Sequence, residues 1–166
     1  MKIKRIIILS IIIIISFYTY SQDNERKFKI HTLAFYNLEN LFDTINDINK
    51  EDEKSPIMEI KFNRTKIYKQ KVSNMARVIS EIGFETSKRP PSIVGICEVE
   101  NRAVIEDLIS DEKLKKYNYE IVHYESPDNR GIDVAMIYNK DVFKIENSNS
   151  HEVFITDNNS SKRRNT

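Results

Sequence analysis

Between positions 63 and 83, the apolar side chains Tyr68, Val72, Met75, Ile79 and Ile82 recur at spacings of four, three, four and three. An α-helix brings such positions onto one face, and a helix with one apolar face has to bury it against another layer. Asn63 stands where a capping residue belongs. Gly83 supplies the stop, because the residue after a last turn often takes positive φ. Runs with strand character flank this helix. Residues 28–36 (FKIHTLAFY) alternate β-branched and aromatic side chains and predict a first strand buried on one face and largely on both. Pro90-Pro91 force extended backbone ahead of residues 92–97 (SIVGIC), an apolar run bounded by turn signals and hence a buried second strand.

A weaker helix is expected over 101–109, where Val104, Ile105, Leu108 and Ile109 are apolar. Residues 119–124 and 132–138 predict a hairpin with a long turn-rich loop, ESPDNRG. Residues 141–156 have the makings of one or two weak strands, and 157–166 are polar and basic, a disordered tail by composition. The order β, α, β, α, β, β makes residues 22–156 a mixed α/β domain. Residues 43–62, with Asp43, Asp47, Glu51, Asp52 and Glu53, are a long acidic loop, and loops of that length are usually functional or mobile. A chain of this size removes roughly 68% of its unfolded surface from water, enough for a core without staples. With 3 Gly, 4 Pro and 1 Cys in 166 residues, collagen-like, low-complexity, disulfide-framework and Cys-rich zinc classes are excluded.

At the N-terminus, Lys2, Lys4 and Arg5 precede an apolar run over 6–15 that meets Ser16-Phe17-Tyr18-Thr19-Tyr20-Ser21. This predicts a secretory signal peptide over 1–21, with the small residues Thr19 and Ser21 placing cleavage before Gln22. The run falls short of the roughly 20 apolar residues of a membrane span, so no stable span is expected after cleavage. Export, to the periplasm or outside the cell, follows. Loss of those three positive charges turns the formal charge of +1 into −2. No global basic field then draws nucleic acid, and a polyanionic substrate relies on a metal and local Arg or Lys. Cys97, the sole cysteine, has no internal disulfide partner.

Three segments set polar residues at the ends of apolar strands: Tyr36-Asn37-Leu38-Glu39-Asn40, Ile96-Cys97-Glu98-Val99-Glu100-Asn101 and Asp128-Asn129-Arg130-Gly131-Ile132-Asp133. A hard cation such as Mg²⁺ takes oxygen ligands and keeps several waters, so a carboxylate with an amide oxygen makes a partial site. Glu98, directly after a buried strand, is the best carboxylate. Arg130 beside Gly131 can offer its planar fork to a phosphate. Each has an ordinary alternative: an Asx-turn at Asn37, a solvated Glu98 opening the next helix, an exposed turn charge at Arg130.

The strings AFYNLENLFDT, VGICEVENRAVIEDL and HYESPDNRGIDVAMIYN resemble the first three motif blocks of the endonuclease/exonuclease/phosphatase superfamily, in its secreted bacterial branch, over about residues 27–140. The resemblance implies the first half of a four-layer αββα sandwich, a mixed β-sheet with flanking helices. It also implies phosphoester hydrolysis with Mg²⁺ or Mn²⁺ on substrates from nucleic acids to phospholipids and inositol phosphates. Asn37 matches the family's asparagine after the first strand, Glu98 its catalytic, metal-binding glutamate, and Arg130 a phosphate-facing loop. Asp133 lies in the same block without an assigned role. The pattern further calls for a catalytic His, a Gly-Asp-x-Asn turn and a late Asp-His pair. No Asp precedes His31, His123 or His151, and Asp47-Ile48-Asn49 and Asp157-Asn158-Asn159 read as loop residues. The expectation is therefore an N-terminal fragment, inactive or nearly so alone, with apolar sheet surface left open. The alternative is an exported, non-catalytic binding domain. Substrate identity and oligomeric state are not fixed by these residues.

Overall fold

Leu33–Leu41 (β1) and Ile93–Val99 (β2) lie side by side and parallel, with Leu33 opposite Ile93 and Asn37 opposite Cys97. Parallel neighbours need a crossover, and the amphipathic helix Arg64–Glu81 (α1) provides it. Tyr119–Tyr124 (β3) and Asp133–Asn139 (β4) form the expected hairpin, and β4 pairs antiparallel with β2. The result is one mixed sheet in the order β1-β2-β4-β3. The structure is a computed structural model that describes Ile3, residues 28–151 and the backbone of 154–157 and 160–165. The expected signal peptide, Ile3 apart, lies outside the described residues, among which no helix is long and apolar enough to cross a membrane.

Both longer helices cover the same face. Tyr68, Val72, Ala76 and Ile79 of α1 and Val104, Ile105 and Leu108 of Arg102–Ser110 (α3) form one buried cluster with Val94, Ile96, Ile121 and Ile137 of the sheet. Asn101 caps α3, its side chain accepting from the Val104 N–H at 3.1 Å. Asn63 precedes α1 in the left-handed region and makes no side-chain cap. Gly83, at φ 66°, ends the helical run as expected and leads into the short helix Phe84–Ser87 (α2).

Among the described residues, no second layer covers the other face of the sheet. Leu33, Phe35 and Val134 are 66%, 72% and 63% exposed, and Phe35 lies over Gly95, where a Cβ would stand 2.7 Å from its ring. The expectation of a first strand buried largely on both faces is thus corrected. Its limits also move: β1 starts at Leu33, since Phe28 and Ile30 have no pairing strand and stay exposed, and it runs on to Leu41 because Leu38 and Leu41 are completely buried. β2 likewise continues past Cys97 to take in Glu98 and Val99.

The acidic loop is an ordered element. A 3-10 turn at Asp52–Lys54 buries Asp52, and Phe42, Ser55 and Ile57 are buried with it. Phe154–Asp157 (β5) and Ser160–Asn165 (β6) pair antiparallel as a separate two-stranded ladder. The segment read as a tail carries the second strand of this ladder.

Candidate metal and phosphate site

β1 and β2 both break their regular ladder at the same end of the sheet. Register shifts fall between Asn37 and Leu41 on β1 and between Cys97 and Val99 on β2. Glu39, Asn40 and Glu98 take φ of 51°, 57° and 58°. Non-glycine residues in this region each cost about 1–3 kcal/mol, and such strain gathers at functional sites. Here it aims side chains. Asn37 Nδ2 donates to Glu98 Oε1 at 2.8 Å, while Asn37 Oδ1 accepts from the Glu39 N–H at 2.6 Å. Asn37 therefore does form the Asx-turn that its residue type allows, and it also orients Glu98. Glu98 does not open the next helix, a role taken by Asn101.

Lys71 of α1 locks the bulge on β1, its Nζ donating to the backbone carbonyls of Glu39 at 2.5 Å and Asn40 at 2.9 Å. Burial lowers the Lys71 pKa, and the charges of Glu39 and Glu98 oppose that shift. Burial raises the Cys97 thiol, helped by Glu98. Two residues on, Glu100 is 8% exposed, and its Oε2 accepts from the Asp43 N–H at 2.6 Å. Burial pushes its carboxyl up to about 7.

The hairpin loop arrives at the same end. Arg130 is exposed, and Asp128 grips its guanidinium through Nε at 3.1 Å and Nη2 at 2.7 Å. The Asp128 carboxylate raises the Arg130 pKa, and the charge of Glu98 adds to this. Asp133, for which sequence suggested no role, is fully buried on the helix-covered face. Its Oδ2 meets His123 Nε2 at 2.8 Å and its Oδ1 accepts from the Ser126 N–H at 2.8 Å. Ser126 Oγ in turn donates to the Ile132 carbonyl and accepts from the Asp128 N–H. His123 and Asp133 thus tie down the loop that carries Arg130. The His-Asp contact comes from strand pairing across ten residues, invisible to a search for adjacent Asp-His.

Among the described residues, His123, Glu125 and Asp133 bring ligand atoms within 4.8 Å of one another. Asp133 already spends both oxygens on His123 and Ser126, and Glu125 pairs with Lys50 at 3.5 Å. The Asn37–Glu98 pair fits a hard divalent cation better. Its donors are a carboxylate and an amide oxygen; Glu98 Oε2 makes none of the hydrogen bonds of the site, while Asn37 Oδ1, which accepts from the Glu39 N–H, would offer its second lone pair.

The strained Glu98 carboxylate held by Asn37 and the loop that carries Arg130 stand at one end of a mixed α/β sheet. The family model for the endonuclease/exonuclease/phosphatase family matches residues 32–166, and the chain belongs to that family. No curated protein and no solved structure matches it.

Proposed function

We propose that this chain is an exported, metal-dependent phosphodiesterase of endonuclease-like type. Asn37 and Glu98 hold Mg²⁺ or Mn²⁺, and Arg130 meets the phosphate of a phosphoester substrate such as a nucleic acid. The observation that carries the reading is the 2.8 Å bond from Asn37 to Glu98, made where three non-glycine residues take left-handed backbone. When bound, the ion polarises a phosphoryl oxygen and neutralises charge that builds up there. Glu98 anchors it, Asn37 fixes the carboxylate's rotamer, and Arg130 supplies a directional fork for phosphate oxygens.

A base for the attacking water is the weaker part of the arrangement. His31 bonds Ser92 Oγ at the opposite end of the sheet, and His123 is committed to Asp133. Without a general base a rate falls typically 10²–10⁴-fold, so slow turnover and clear metal binding are expected. The basic and apolar stretch at 1–15 supports export, with Gln22 as first residue of the exported protein.

Calorimetric titration with Mn²⁺, and hydrolysis of bis(p-nitrophenyl) phosphate, test the site on the full chain. Glu98→Gln is expected to lose a Mn²⁺-binding event that the unaltered protein has, together with any Mn²⁺-dependent hydrolysis. Identical isotherms for the two proteins would remove Glu98 from the metal site.

A further inference from the structure

Asp52 lies in the acidic loop, 2% exposed, and only one of its carboxylate oxygens is used: Oδ2 accepts from the Asp47 N–H at 2.8 Å. Oδ1 is buried and has no partner. Three residues on, Ser55 is 7% exposed, and its Oγ is also buried without a partner. Both residues line one cavity of about 420 Å³ between the acidic loop and the sheet end. Glu100, 8% exposed, accepts from the Asp43 N–H at the start of the same loop, and the charge of Asp52 acts on its carboxyl. Asp52 and Ser55 thus leave a carboxylate oxygen and a hydroxyl buried without partners at one cavity, and the neighbouring cations are occupied elsewhere. Lys54 pairs with Glu51, and Arg130, which lines the same cavity, is gripped by Asp128.

Buried like charges in contact are costly unless a positive charge sits between them. Carboxylate and hydroxyl oxygens are hard donors, suited to Ca²⁺ or Mg²⁺ with water completing the shell. We propose that Asp52 and Glu100, with Ser55, bind a hard divalent cation at a site separate from Asn37 and Glu98, and that this ion fastens the 43–62 loop to the sheet end. The loop is positioned to pass the effect on. The Glu51 N–H donates to the Asn129 carbonyl at 2.8 Å, so fixing the acidic loop also fixes the residue next to Arg130. The orphaned Ser55 hydroxyl argues for a ligand independently of the carboxyls, since buried polar atoms are rarely left unpaired.

The test is made on the full chain carrying Glu98→Gln, so that the site proposed above cannot answer for this one. Calorimetric titration with Ca²⁺ and with Mg²⁺ is expected to give one saturable event. Adding Asp52→Asn should weaken it about tenfold or more. In the parent, the ion should slow hydrogen exchange at the Asp47 and Glu51 amides. No saturable binding in the Glu98→Gln protein, or unchanged affinity in Asp52→Asn, would overturn the proposal and leave a proton shared by the two carboxyls. If Asp52→Asn lost its native circular dichroism, Ser55→Ala decides: weaker binding supports the site, and an unchanged isotherm overturns it.

Discussion

Asn37 Nδ2 and Glu98 Oε1 meet at 2.8 Å across neighbouring parallel strands, and both strands leave their regular ladder directly beyond the register position where Asn37 faces Cys97. Glu98 pays for this contact with a φ of 58°. Glycine adopts that conformation freely, whereas an L side chain gives up about 1–2 kcal/mol. Glu98→Gly is therefore expected to raise stability by about 1 kcal/mol while removing the Mn²⁺-binding event of the Asn37–Glu98 site. Urea unfolding with a Mn²⁺ titration checks both. A loss of stability would mean that the Asn37 bond outweighs the strain.

Removing Asn37's side chain tests the other half of the contact. Asn37→Ala leaves Glu98 free to change rotamer, and loss of an orienting partner typically costs about 10–100-fold in metal affinity. Because Asn37 is exposed, stability should change little. Calorimetry separates the two effects, and unaltered Mn²⁺ affinity would show that Glu98 needs no orienting amide.

Lys71 reaches from α1 to the carbonyls of Glu39 and Asn40, the two left-handed residues of β1. Lys71→Met keeps most of the stem and removes the donor. The expected cost is about 1–3 kcal/mol, from lost charge-assisted bonds and carbonyls left short of a partner. Glu98 depends on the same strand end, so Mn²⁺ affinity should fall too. Chemical denaturation gives the first number and calorimetry the second.

The elements that sequence placed well are those with a periodic apolar signal. Tyr68, Val72 and Ile79 mark α1 because the buried stripe repeats at helical spacing, and Val94 and Ile96 mark β2 because turn residues bound them. The strand ends were harder. Asn37, Glu39 and Asn40 read as the polar end of a strand, yet β1 runs on through them to Leu41, with a register shift between Asn37 and Leu41 and with Leu38 and Leu41 buried. Asn37 and Glu98 were legible through their place at strand ends and through motif resemblance. The roles of Lys71, His123 and Asp133 were not, because each depends on a contact between elements with no local pattern. Asp52 was hidden for the same reason: one acid among several in a loop gives no sign of which is buried.

Asp133 and His123 form a buried pair that anchors the Ser126 amide. Removing one partner of such a pair typically costs about 3–5 kcal/mol, since the other is left buried without a counterpart. Asp133→Ala is expected to lose that much and to release the loop over residues 125–132. Hydrogen exchange at the Ser126 amide should speed up, and phosphate binding that depends on Arg130 should weaken. His123→Gln, which retains a donor, should be milder. Equal effects from the two variants would argue that the loop is held by its own turns.

Leu33, Phe35 and Val134 present an open apolar sheet face, with Phe35 laid over Gly95 in place of a second layer. Exposed patches of this kind drive association, and strand surfaces without charge offer no protection against it. The full chain is therefore expected to bind the dye ANS and to self-associate as concentration rises. Val134→Lys places a charge in the middle of that face opposite Cys97, and its side chain points away from the helix-covered core. The substitution should reduce ANS fluorescence and raise the soluble concentration with little change in stability, since position 134 is 63% exposed. Gly95→Ala acts on the same face by another route. Its Cβ would stand 2.7 Å from the Phe35 ring, so the ring must swing away and expose the strand beneath it. ANS binding should then increase. If neither substitution moved ANS binding or sedimentation, the face would be covered in solution, and the apolar surface responsible for association would lie elsewhere.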